Sequence, residues 1–132
     1  MEPLIIKKTE QTPAIIFIPK NETFQIAATS WPEDAKNFYE PIYEWISDYF
    51  NNNPLEQTNF QFFISYMNTS SAKQIVRILT LLKKLSQKHN ISIKWYYDKG
   101  DLDMANEGKR YMKILNFKNF EVIERIANPK IK

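Results

Sequence analysis

The chain contains no cysteine, and that absence removes disulfides, thiolate metal sites and a cysteine nucleophile together. It fits a reducing compartment. Glycine is nearly missing too, with only Gly100 and Gly108. The phosphate cradles of P-loop and dinucleotide-binding proteins need several glycines in one loop, so both are excluded. The one histidine, His89, has no cysteine or second histidine to work with, and nothing suggests a Ser-His-Asp arrangement. Apolar runs are short. None approaches the roughly 20 residues needed to span a bilayer, and Met1 to Lys8 lacks the apolar core of a signal peptide. The expected location is cytoplasmic, without membrane contact. Charge of one sign is also scarce: the net charge is +3, and Glu121 and Glu124 interleave with the lysines that thicken after Lys109. A nucleic-acid surface needs a denser basic face, so nucleic acid is not an expected partner.

What is present is bulk for a core. Of 132 residues, 43% are hydrophobic and 25% charged, with nine Phe, seven Tyr and three Trp. Such a chain folds as one globular domain, expected here over residues 1–132. The β-branched run Ala14 to Ile18 and the alternating Phe24 to Ala27, with turn chemistry from Pro19 to Thr23 between them, predict a β-hairpin. Ser30-Trp31-Pro32-Glu33 predicts a helix start, with Ser30 and Glu33 as a capping box. Ala35, Phe38, Ile42, Trp45, Ile46 and Tyr49 continue at helical spacing through Pro41, where a kink is expected, until Asn51-Asn52-Asn53-Pro54 stops the helix.

Residues 58–67 alternate, with Phe60, Phe62, Ile64 and Tyr66 on one face. Phe63 and Met67 make the other face partly apolar, which predicts a central strand covered on both sides. After Asn68-Thr69-Ser70-Ser71 comes a helix whose stripe is Ala72, Ile75, Val76, Leu79, Leu82 and Leu85. It closes at His89-Asn90. A strand at 91–97, a helix over about 101–115 and a strand at 119–126 complete the order β-β-α-β-α-β-α-β. The reading is an α/β fold: a single mixed sheet, an N-terminal hairpin plus parallel strands, with packed helices.

In such sheets, function gathers beyond the carboxyl ends of the strands. Two segments qualify, Asn68 to Ser71 and Asp98 to Asp103, and parallel neighbouring strands would bring them to one edge. The hydroxyl run reads either as a helix cap or as a phosphorylation site, since a phosphate near free helix N–H groups is favoured electrostatically. Asp98, Asp101 and Asp103 read first as a charged turn with carboxylates in a helix's first turn. Partner contact and a Mg²⁺-dependent enzyme site are the alternatives, and a lone Asp-x-Asp is a weak metal signal. Neither a bound metal nor a cofactor is expected. Glu40 and Glu44, four residues apart, read as a solvated pair rather than as acid–base machinery. Trp31, Tyr39 and Tyr43 are candidate rim aromatics for a partner, and a constitutive scaffold built on them is a further alternative.

Several segments together resemble the SiaC family of bacterial regulatory phosphoproteins. These are Thr12-Pro13-Ala14-Ile15, Ser30-Trp31-Pro32-Glu33, Phe38-Tyr39 with Pro41 and Trp45, Tyr66-Met67-Asn68-Thr69-Ser70-Ser71-Ala72-Lys73, and Trp95-Tyr96-Tyr97-Asp98. They fall in the family's order, and Tyr-x-Asn-Thr-Ser-Ser is the most specific. The resemblance implies a fold like the anti-sigma-factor antagonists (STAS-like) and a non-enzymatic switch at Thr69. A serine/threonine kinase of the histidine-kinase-like superfamily would phosphorylate Thr69, and a PP2C-type phosphatase would reverse it. The unphosphorylated form would bind and stimulate a partner such as a diguanylate cyclase, raising cyclic di-GMP and favouring biofilm. The partner edge is then expected at Asn68, Ser70, Ser71, Lys73, Asp98 and Asp101. This chain departs from the family in having Ala27-Ala28 where a glycine often ends the second strand, and no motif is matched after residue 115.

Overall fold

A computed structural model describes residues 1–126, so the end of the expected domain lies outside the described residues. The β-branched and alternating segments form six strands: β1 (Leu4–Ile6), β2 (Ala14–Ile18), β3 (Thr23–Ser30), β4 (Gln57–Met67), β5 (Asn90–Asp98) and β6 (Phe120–Arg125). Three helices alternate with the later strands: α1 (Ala35–Asn51), α2 (Thr69–Leu85) and α3 (Leu102–Leu115). The strands make one sheet in sequence order, antiparallel from β1 to β3 and parallel from β3 to β6. The α/β reading with a mixed sheet therefore holds, with one strand added. β1 is three residues long, too short to leave a pattern, and is anchored where the Trp45 indole N–H donates to the Glu2 carbonyl at 2.9 Å.

Each parallel step moves one place in the same direction. Right-handed crossovers then put all three helices on one face. Burial follows: Ile15, Phe17, Phe24, Ile26, Phe60, Phe62, Ile91, Ile93 and Trp95 alternate into the helix-covered core. The opposite face carries Gln25, Gln61, Lys94 and Tyr96, all partly exposed. β4 is thus covered on one side, not on both as its residues suggest. Phe63 is shielded on the open side by neighbours rather than by a layer. Its ring stacks on Tyr96 at 4.5 Å, and the Arg125 guanidinium lies 4.8 Å away.

Two further expectations are corrected at the turns of the chain. Ser30 does not cap α1, because β3 runs on through it and its hydroxyl is engaged in the core. Asp34 caps instead, its carboxylate accepting the Asn37 N–H at 3.1 Å. Pro41 lies within one continuous helix, on its exposed side. The second correction concerns β4. Ala28 pairs with Ile64 but Thr29 pairs with Tyr66, which leaves Ser65 as the extra residue of a bulge. Past it the alternation reverses: Tyr66 turns outward, 53% exposed, and Met67 packs against the core. Opposite the bulge, Ala28 adopts φ 84°, the left-handed region that favours glycine. On α2, Ile78 joins Ile75, Leu79 and Leu82 in the buried stripe, whereas Ala72, Val76 and Leu85 are only half-buried.

Candidate functional site

The carboxyl ends of β4 and β5 lie side by side, and the segments that follow them open α2 and α3. Asn68 is the cap of α2. Its backbone is extended (φ −80°, ψ 174°), and its side-chain oxygen accepts the Ser71 N–H at 2.9 Å. With Asn68 filling that role, the Thr69 and Ser70 hydroxyls are surplus to capping, and both residues are exposed in the first turn. That turn contains no acidic residue, so no carboxylate of α2 itself offsets the positive end of the helix dipole beside Thr69.

Ser71 behaves differently. Expected at the partner edge, it has zero exposure, which removes it from direct contact. Its oxygen accepts the Ser30 hydroxyl at 2.8 Å, and Ser30 lies 2.6 Å from the Tyr39 hydroxyl. Tyr39 is likewise fully buried, not the rim aromatic its sequence context suggested. Tyr43 is half-buried beneath the Arg77 guanidinium, 3.9 Å from the ring centroid, and Trp31 alone of the three is substantially exposed, at 42%.

Across from Thr69 stands the start of α3, and between them is a cleft of about 480 Å³. One wall is Tyr66, Met67, Asn68, Thr69 and Ala72. The other is Asp101, Asp103, Met104, Glu107 and Arg110. Asp101 caps α3, its carboxylate accepting the Met104 N–H at 3.1 Å, and Asp103 is exposed in the first turn. Arg110 is already paired with Glu107 through two contacts, at 3.0 and 3.2 Å. This pairing holds the Glu107 carboxyl below the usual carboxylate range, and the Tyr111 hydroxyl adds to it by donating at 2.6 Å. Burial and that same carboxylate push the Tyr111 phenol up. The cleft is therefore acidic, and its one arginine is neutralised.

Of the expected edge residues, Asn68, Thr69 and Asp101 share this cleft. Lys73 and Ser70 are exposed near it without lining it. Asp98 points elsewhere: it pairs with Arg125 at 2.8 Å and lines a separate hollow on the open sheet face. The three aspartates thus have three separate roles, and no cluster of three metal-ligating side chains occurs among the described residues. Glu40, expected to be solvated, instead bonds Arg77 at 2.8 Å and ties α1 to α2, which lowers its pKa. Sequence reasoning missed the Ser30–Tyr39–Ser71 cluster, since only the register of β3 against β4 brings its members together. It also passed over Glu107 and Arg110, whose three-residue spacing on a helix was a visible signal. No helix among the described residues is long and apolar enough to cross a membrane.

Known proteins share this architecture. SiaC of Pseudomonas aeruginosa superposes with a TM-score of 0.80 at 22% identity, covering 96% of this chain and all of that one. The crystal structure of the diguanylate cyclase SiaD with its activator SiaC, from the same organism, contains a chain that matches at TM-score 0.82 and 23% identity, over 92% of this chain and 98% of that one. In sequence, an uncharacterized protein of Pseudomonas aeruginosa strain UCBPP-PA14 is 27% identical over 120 residues, which is 89% of this chain and 93% of its own length. Residues 6–125 match the SiaC family of regulatory phosphoproteins, the span that holds β2 to β6, the three α-helices and the Thr69 cleft. The chain belongs to that family.

Proposed function

We propose that this protein is a non-enzymatic, cytoplasmic binding module, one domain over residues 1–132, switched by reversible phosphorylation of Thr69. The observation that carries the reading is the exposed Thr69 in the first turn of α2, relieved of capping by Asn68. In the modifying step, Thr69 Oγ1 bonds to the terminal phosphorus of a nucleoside triphosphate as the bond to the diphosphate breaks. The hydroxyl proton passes to a base of the kinase. A PP2C-type phosphatase restores the hydroxyl: water attacks the phosphorus, the bond to Thr69 Oγ1 breaks, the oxygen takes up a proton and inorganic phosphate leaves. The output partner is a diguanylate cyclase or a protein of similar role, by analogy with the Pseudomonas SiaC that activates SiaD. Contact is made around the cleft, through Asn68, Ser70, Lys73 and Asp101.

The phosphate brings nearly two negative charges to a helix N-terminus, which tolerates them, and to a cleft that already holds Asp101, Asp103 and Glu107. The helix start stays folded while the face met by the partner changes charge. A kinase of the proposed class should label the wild type at Thr69, and Thr69→Ala should abolish the label. Thr69→Glu should weaken binding to the output partner at least about tenfold, or about 1.4 kcal/mol, read by calorimetry. Equal affinities for wild type and Thr69→Glu would point instead to a constitutive scaffold anchored by Trp31.

A further inference from the structure

The buried polar side chains of the described core are few: Ser30, Thr58 and Ser71. Thr58 has a simple partner in the Tyr49 hydroxyl at 3.0 Å. Ser30 and Ser71 instead join the Tyr39 phenol in a chain that ends in the first turn of α2. Ser30 has one hydroxyl proton, which goes to Ser71 at 2.8 Å, so the phenol is the donor to Ser30 at 2.6 Å. The backbone adds a second tie, the Asn68 N–H donating to the Ser30 carbonyl at 3.0 Å. One residue of β3 thus holds α2 both at its cap and at its third residue. Thr69 and Ser70 lie between these anchors and face outward.

Packing alone gives no reason for three hydroxyls here. Buried hydrogen bonds contribute little net stability over apolar groups of the same shape, but a satisfied polar network fixes geometry. Burial raises the Tyr39 pKa to about 12, so the phenol keeps its proton through neutral pH.

We infer that Tyr39 and Ser71 are positioning residues for Thr69, holding its hydroxyl through the Tyr39–Ser30–Ser71 chain in the orientation that phosphoryl transfer needs. This rests on Thr69 being the phosphate acceptor. The transfer is in line, and a displacement of about 1 Å at the acceptor lowers such rates on the order of a hundredfold. Ser71, though a serine in the recognition run, takes no phosphate itself, because it has no exposed surface.

The test is steady-state labelling of the full chain by the kinase that labels the wild type. Wild type, Tyr39→Phe and Ser71→Ala are compared well below their melting temperatures, with the label mapped by mass spectrometry. Each variant should lower kcat at least about tenfold while KM changes less than about twofold, with phosphate found on Thr69 alone. A merely structural role would lower the melting temperature and leave kcat at the wild-type value, and that result overturns the inference. Phosphate on Ser71 in the wild type also overturns it. Should Tyr39→Phe not fold, Ser71→Ala, which removes a single oxygen, decides alone. Wild-type protein that takes no label at Thr69 overturns the phosphorylation reading and this inference with it. A Thr69 label with unchanged variants overturns the inference only.

Discussion

Ala28 carries a backbone conformation that its side chain opposes. At φ 84° an L-residue crowds its own carbonyl, at a cost of roughly 1–2 kcal/mol, while glycine there loses part of that advantage to its freer unfolded chain. Ala28→Gly should therefore stabilise the protein by about 0.5–1 kcal/mol, seen as a rise of about 3 °C in thermal melting. A fall would show that the Ala28 methyl, on the edge of the open-face hollow, packs better than the strain suggests. At this scale the sequence was partly legible. The hydroxyl run announced a helix start, and Asn68 is the residue that caps it. It could not separate Thr69 from Ser71, since two residues apart in a first helical turn is enough to put one side chain in water and the other in the core.

Between elements, α3 approaches β5 closely at one point. Gly108 lies against the Trp95 indole, and a Cβ built there would stand 2.4 Å from the ring. Trp95 has nowhere to go: it is fully buried, its indole N–H donates to the Met104 carbonyl at 3.0 Å, and Tyr111 meets its ring edge-on. Gly108→Ala should destabilise by about 2 kcal/mol despite its better helix propensity, measured by urea unfolding. An unchanged midpoint would mean that α3 slides off the sheet freely. Because α3 forms one wall of the Thr69 cleft, the same variant should also disturb partner binding. Helix and strand identities were legible because period and length agree for α1, α2 and β4. The capping of α1 was not, because Ser30-Trp31-Pro32-Glu33 meets the local rule for a helix start while the sheet claims Ser30 for β3. The β4 bulge was equally hidden: a strict alternation through Tyr66 gives no sign of the extra residue at Ser65.

For the whole molecule, two carboxylates link folding to pH. Glu40 and Glu107 are both held below the usual carboxylate range, in each case chiefly by the hydrogen bond from an arginine. Their contribution is complete above the unfolded carboxylate pKa and is lost as pH falls through the lowered folded values. Melting temperature should decline from about pH 5 to about pH 3, and Glu107→Gln should flatten part of that decline; parallel curves would remove Glu107 from the account. The layer arrangement was legible as far as alternating strands and helices allow. The open face was not, because Phe63 and Tyr96 shelter each other and so look like core in the sequence. The sheet order has a consequence for how the molecule comes into being. Among the described residues, each strand after β1 pairs with the one translated just before it, so from β2 onward every strand emerges with a partner already made. A nascent chain can thus extend its sheet strand by strand as it leaves the ribosome. On that route the Ser30 carbonyl and hydroxyl are already in place when Asn68 and Ser71 emerge, and the start of α2 docks onto a template older than itself.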